Sequence, residues 1–284
     1  MRPLFWVVAI FIAVSGPCVV AQDVTLENLV LTQVGTLPII LTAPHGGREP
    51  IPGIPPRNVE GKPRGGSKYE LGTDRETDVL VQAIAREIRQ LTGEDVYLVM
   101  AKFQRKLIDA NRPPNIAFDN VKAEPYYQYY HQTIRRFIDA IRSSHRAGLL
   151  IDVHGQNKLP DALVRGTRNG LAIKQLLERS GMKAVTGPEG LFGQLAGNGF
   201  TVFPSNDVPA SGTSENGVYN GGFTVARYGS HTKSGIDAVQ FEFGSKYRQT
   251  TELESTAKRA AKSIVGFYSA YLKLPPVQVR RQPQ

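Results

Sequence analysis

Apolar runs bounded by glycine or proline alternate along this chain with segments whose apolar residues recur at helical spacing, and this alternation restricts the fold more than any other feature. Residues 37–43 (LPIILTA), 95–101, 148–153 and 238–243 read as buried strands. Residues 79–91, 126–142, 171–179 and 252–272 read as helices. In the first of these, Val79, Ile84, Ile88 and Leu91 are expected on the inward face, with Thr73 or Asp74 as the N-cap. Strands separated by helices are joined by crossovers, so the chain is expected to form a three-layer α/β fold. Its central sheet is parallel or mixed, with helices on both faces.

The chain has 284 residues and begins with Arg2, an apolar run at residues 4–14, and Val19-Val20-Ala21. That pattern is expected of an export signal spanning residues 1–21, with cleavage after Ala21 and a periplasmic or extracellular mature protein. The run is shorter than the roughly 20 residues that a membrane-spanning helix needs, so no stable membrane insertion is expected after cleavage. A lipid anchor on Cys18 is the alternative, disfavoured by Pro17 directly before it. Cys18 is the only cysteine, which excludes both a disulfide framework and a thiol nucleophile in the mature chain. Residues 22–274 are long enough for a single domain with one large core, and residues 275–284, rich in Pro, Gln and Arg, read as a disordered tail. The formal charge of +9 comes from scattered basic residues that are not interleaved with aromatics, so nucleic acid is not an expected partner. The oligomeric state is not legible.

Chemistry gathers where strands of an open α/β sheet end. His45 lies past the first strand in Pro44-His45-Gly46-Gly47, and His154 lies past residues 148–153, followed by Gly155. Two imidazoles at strand ends suit a divalent metal such as Zn²⁺, which in hydrolases takes three protein ligands and keeps one open position. Asp152, two residues before His154, shares its side of the strand and can orient the ring. No Gly-x-Ser-x-Gly elbow is present, which argues against a serine hydrolase. His131 falls in a tyrosine-rich helix and reads as packing. His145 reads as a solvated helix end, and His231 sits in a Gly- and Ser-rich loop.

Six short motifs occur in the order seen in a known family. They are Pro44-His45-Gly46-Gly47, residues 74–77, residues 105–112 (RKLIDANR), Asp152-Val153-His154-Gly155, Gly221-Gly222-Phe223-Thr224 and Val239-Gln240-Phe241-Glu242. In this the chain resembles the N-formylglutamate amidohydrolases, a family similar in fold to the zinc carboxypeptidases. The resemblance implies a zinc-dependent hydrolase of amide bonds whose substrate is an N-acyl amino acid or short peptide with a free carboxylate. It implies His45 and His154 as metal ligands. The carboxylate ligand is expected to be Asp74, with Glu76 and Glu49 as alternatives, because Arg48 stands where zinc carboxypeptidases place a glutamate. The alternative reading of Asp74 is as a helix cap only.

Glu242 matches the catalytic general base, and a carboxylate alternating with Val239, Phe241 and Phe243 is costly to bury unless it is paired or functional. Its alternative is a structural ion pair with a neighbouring arginine. Asn111 and Arg112 match a pair that holds the substrate carboxylate, a task suited to the planar guanidinium fork, and Arg105 with Asp109 completes that motif. Arg165, Arg168 and Arg227 are further candidates for anion recognition. A non-catalytic carboxylate-binding protein and a cell-wall peptide hydrolase are the rival readings.

Overall fold

A computed structural model describes residues 25–60, 69–209, 215, 217 and 219–274. The expectations for residues 1–21, Cys18 and residues 275–284 lie outside them. Among the described residues no helix is long and apolar enough to cross a membrane.

Seven strands form one mixed sheet: β1 (Val30–Gln33), β2 (Ile39–Ala43), β3 (Tyr97–Ala101), β4 (Leu149–Gln156), β5 (Ala162–Gly166), β6 (Thr201–Phe203) and β7 (Asp237–Gly244). Their spatial order is β1-β3-β2-β4-β7-β5-β6. The central β3, β2, β4 and β7 run parallel to their neighbours in that series. β1 pairs antiparallel with β3, and β5 antiparallel with β7, while β5 and β6 are parallel to each other.

Side chains alternate across a strand, so each strand feeds two cores. Leu41, Ile151 and Phe241 face one side, where helices Thr77–Thr92 and Leu253–Phe267 pack. Ile40, Leu150 and Ala238 face the other, against helix Glu124–Ser144. Helices therefore cover both faces, as the alternation required.

Two expectations shift. Helix Thr77–Thr92 starts after Glu76, a residue with φ of 65°, and neither Thr73 nor Asp74 caps it with a side chain. Its buried stripe runs through Leu80, Val81, Ile84 and Ile88, leaving Val79 and Leu91 at 40% and 54% exposure. Ile84 and Ile88 set the sheet-facing direction, and Val79 and Leu91 fall outside the arc they centre. Meanwhile β4 continues past Val153 because β7 pairs with it as far as Gln156. His154 and Glu242 therefore sit within strands as direct neighbours in the parallel register.

Candidate metal centre and active-site cavity

His45 leaves the end of β2 on a Gly-Gly turn, and His154 rises from β4 with its ring edge-on to that of His45, centroids 4.8 Å apart. Each ring has one nitrogen fixed by a buried carboxylate. His45 Nε2 is 2.6 Å from Asp109 Oδ1, and His154 Nε2 is 2.9 Å from Asp152 Oδ2. An ionised carboxylate only accepts, so each Nε2 donates to its carboxylate, and both Nδ1 atoms face the gap between the rings, where a neutral imidazole presents a lone pair and an imidazolium its second N–H. Asp152 is held in turn by the Thr42 hydroxyl, which donates to its Oδ1 at 2.5 Å. Asp109 accepts from Arg105 Nε at 3.0 Å, with Arg57 and Arg112 farther out.

The third group is Asp74. Its backbone N–H donates to His45 O at 3.1 Å, and its Oδ2 accepts from Gly155 N at 3.1 Å. These bonds pin the strap before helix Thr77–Thr92 across the ends of β2 and β4. Asp74 Oδ2 then lies 3.4 Å from His45 Nδ1 and 3.1 Å from His154 Nδ1, and the two Nδ1 atoms are 3.2 Å apart. Ligands about 2.0 Å from a tetrahedral zinc are separated by about 3.3 Å, so the three atoms match one face of such a shell. Among the described residues His45, Asp74 and His154 form the cluster able to hold a metal ion. Glu76 instead meets Arg48 at 2.5 Å, and Glu49 is an exposed residue bridging to Phe103. The carboxylate placed to hold a metal is thus Asp74, the first of the three expected from the sequence.

Charge reinforces the geometry. Burial pushes the Asp74 carboxyl up, but hydrogen bonds from His154 and His45 outweigh it and hold the group well below its ordinary value. Burial likewise raises Asp109, and Arg105 and His45 overturn that. His154 is disfavoured as a cation by burial, yet the charge of Asp152 and its hydrogen bond keep the ring protonated well above the usual range. A site that so strongly retains a proton between carboxylates has the excess negative charge that a divalent cation would take up in its place.

Asp109→Asn is expected to lower metal affinity about 10–100-fold, because the ring it orients loses its fixed tautomer. Chelator competition on the folded variant measures this, and an unchanged affinity would mean that Asp109 does not set the His45 ligand.

Glu242 stands beside His154 on β7, where neighbouring strands are about 4.8 Å apart. Among the described residues its hydrogen-bond partner is Gln240 Nε2 at 2.8 Å, and no structural ion pair with an arginine forms. Burial, against the pull of His154 and Arg105 and with Asp74 and Asp152 repelling, raises its carboxyl to about 7. Such a group exchanges protons near neutral pH.

These residues line a cavity of about 980 Å³. Arg112 reaches it from the loop after β3, with its carbonyl held by Tyr127 Oη at 2.7 Å and its Nη1 donating to Asn111 O. Its nearest carboxylate is Asp109 at 4.0 Å, so it keeps capacity for an anion from solution. Asn111 lines the cavity too, but its side chain ties the centre together. Its Oδ1 accepts from Thr224 N at 2.8 Å and from Thr224 Oγ1 at 3.1 Å, which sets the amide against the His154 ring. Gly222 packs so closely there that a Cβ would fall 2.2 Å from Asn111 Nδ2, which explains the Gly-Gly-Phe-Thr motif. Arg105 lines the cavity but spends its donors on Asp109, Gly72 O and Asp74, acting on the ligands rather than as a free anion receptor.

Two sequence-based candidates are misplaced. Arg165 is fully buried on β5, in register with Phe241 and so on the sheet face opposite Glu242, with its guanidinium over Phe192 and near Glu215. Arg227 is exposed, stacks on Phe223 and Tyr228, and borders a separate hollow of about 380 Å³. Arg168 does not line the main cavity. His131 is buried in packing, with Nδ1 2.9 Å from Tyr228 Oη. Sequence reasoning missed Thr42, Arg57 and Arg248. A threonine inside the apolar LPIILTA run was the one available signal, since a buried hydroxyl must find a partner.

A parallel-centred α/β sheet carrying a His-Asp-His cluster beside a perturbed carboxylate defines a candidate metal-dependent hydrolase. The chain matches the N-formylglutamate amidohydrolase family, whose model covers residues 120–247. It is similar in fold to an N-formylglutamate amidohydrolase from Ralstonia eutropha JMP134, with 17% identity over 85% of this chain and 97% of that one, at a TM-score of 0.53. A gene product of Agrobacterium tumefaciens aligns at 15% identity over 85% and 95% of the two chains, with a TM-score of 0.49. No curated protein matches the sequence.

Proposed function

We propose that this chain is an exported, zinc-dependent amidohydrolase with a zinc carboxypeptidase-like fold, acting on the amide bond of an N-acyl amino acid or short peptide that carries a free carboxylate. The observation that carries the reading is the triangle of His45 Nδ1, His154 Nδ1 and Asp74 Oδ2, with edges of 3.1 to 3.4 Å, beside a carboxyl poised near neutrality. Its two nitrogens and one oxygen are a donor set that zinc accepts. The apolar segment before Ala21 supports export.

Bound zinc supplies Lewis acidity to a carbonyl and to water. Glu242 takes the proton of the attacking water and delivers it to the departing amine, the role of a group whose pKa lies near the working pH. Arg112 binds the substrate carboxylate through its free edge and sets the register of the amide over Glu242. Asp109 and Asp152 keep both imidazoles in the ligating tautomer, and Arg105 holds Asp74 and Asp109 in place.

The test is turnover of a panel of N-acyl amino acids and short peptides by the zinc-loaded mature protein, with and without Arg112→Ala. The expected result is hydrolysis that requires zinc, and a KM raised about tenfold or more in the variant for free carboxylates but not for their methyl esters. Binding without turnover across the panel would favour a non-catalytic receptor. An equal response of acids and esters would remove Arg112 from carboxylate binding.

A further inference from the structure

The cavity has a second wall, built by the ends of β4 and β7, to which the reading above gives no task. Arg248 lines it while only 7% exposed. A guanidinium has five N–H donors, and four are used here: Nε on Phe243 O, Nη2 on Gln156 O and on Asn157 Oδ1, and Nη1 on Arg75 O. Every one of these acceptors is neutral. Among the described residues no carboxylate pairs with this arginine, and burial lowers its pKa against the more distant charges of Asp74, Glu242 and Glu76. A buried cation held by dipoles alone is costly, and a counter-ion that reaches it from the cavity is correspondingly favoured.

The placement is built rather than incidental. The guanidinium lies against Gly155, where a Cβ would fall 2.5 Å from its Cζ, so the glycine after His154 makes room for it. One Nη1 hydrogen remains uncommitted. Arg75 and Lys158 stand exposed on the same wall, neither with an ion-pair partner among the described residues, and the acidic neighbour Glu76 is already engaged by Arg48. Volume points the same way. About 980 Å³ lies at the top of the range of about 300–1,000 Å³ that accommodates drug-sized ligands, far more than a one-carbon acyl group on an amino acid fills.

We propose that Arg248, with Arg75 and Lys158 at the rim, forms a second carboxylate subsite, and that the substrate carries a carboxylate on each side of the scissile amide. The inference rests on the amidohydrolase reading for the reaction and on the wall itself for the ligand. The substrate class is an N-carboxyacyl amino acid or an acidic dipeptide. Water adds across its C–N bond to release a dicarboxylic acid and an amino acid. Arg112 holds the carboxylate on one side of the bond and Arg248 the carboxylate on the other.

The experiment compares kcat/KM of the zinc-loaded protein for N-succinylglutamate and N-formylglutamate, which share the amine side and differ in the acyl carboxylate. The succinyl compound is expected to be preferred about tenfold or more, and that ratio to collapse towards one in Arg75→Ala/Lys158→Ala and in Arg248→Gln. Circular dichroism checks that Arg248→Gln, which loses a brace, remains folded; the rim variant tests the subsite without touching the brace. Titration calorimetry of both compounds on zinc-loaded Glu242→Gln reads binding apart from turnover. Turnover without succinyl preference, or a ratio unmoved in the rim variant, overturns the second subsite and leaves the hydrolase. Tighter succinyl binding with no turnover of either compound by the unsubstituted protein overturns the hydrolase and leaves the subsite.

Discussion

Glu242→Gln is expected to lower kcat about 10³-fold, the scale of a lost general acid-base group, while one zinc per chain stays bound and KM changes little. The amide keeps the size of the carboxyl and still accepts from Gln240 Nε2, so the local packing survives. What it loses is the ability to take a proton. Metal content should hold, since the ligand atoms belong to His45, Asp74 and His154. The variant should also unfold no earlier than the parent. Glu242 is buried at 6% exposure and forms no ion pair among the described residues, and replacing such a carboxylate by a neutral group removes a desolvation cost. Steady-state kinetics, metal analysis and thermal unfolding on one preparation separate these effects. A kcat within tenfold of the parent would move proton transfer to another residue, and loss of zinc would show that Glu242 belongs to the ligand shell.

Much of this arrangement is legible in the sequence because strand ends are legible. Apolar runs bounded by glycine and proline located β2, β4 and β7, and a polar residue at the end of such a run has few places to go except the crevice above the sheet. His45 follows from that rule, as does His154 at the end of its apolar run although β4 itself continues to Gln156, while Glu242 stands inside β7 as a carboxylate among alternating apolar residues; Asp152 follows from the two-residue period of a strand. The arginines do not. Arg165 and Arg112 are the same residue type in comparably polar surroundings, yet one is sealed on the far face of the sheet and the other opens onto the cavity. Which face a strand residue takes depends on register, and register on the pairing of β5 with β7, which local pattern does not encode. Arg57 and Arg248 are bound chiefly to backbone carbonyls, most of them far away in the chain, with Asp109 at 3.7 Å from Arg57. Such contacts exist only after the chain has closed.

Asp74 shows how one residue can support two readings that the structure then separates. An aspartate shortly before a helix is a natural cap, and Asp74 does organise that helix start, but through its carbonyl, which accepts from Thr77 N and from Thr77 Oγ1. Its carboxylate is thereby released to the imidazoles. The left-handed backbone of Glu76 separates the strap from the helix and lets Asp74 turn inward over the sheet.

His154→Ala is expected to abolish stoichiometric zinc binding and with it turnover, while the protein stays folded. Removing one of three protein ligands leaves His45 and Asp74, which is too few for a stable zinc site of this type. It also leaves Asp152 buried with its ring partner gone, retaining among the described residues the bond from Thr42, so some loss of stability accompanies the loss of metal. Global unfolding is not expected. The fold rests on two apolar cores on either side of the sheet, where each fully buried Leu, Ile or Phe contributes roughly 1.5–3 kcal/mol, and neither core includes a metal ligand. Metal analysis after gel filtration, read beside far-ultraviolet circular dichroism, measures both halves of the prediction. A folded variant that still holds one tightly bound zinc would break the triad and leave the two histidines as a hydrogen-bonded pair. A variant that unfolds outright would instead show that the centre is a structural staple, with the sheet depending on the ion for its closure.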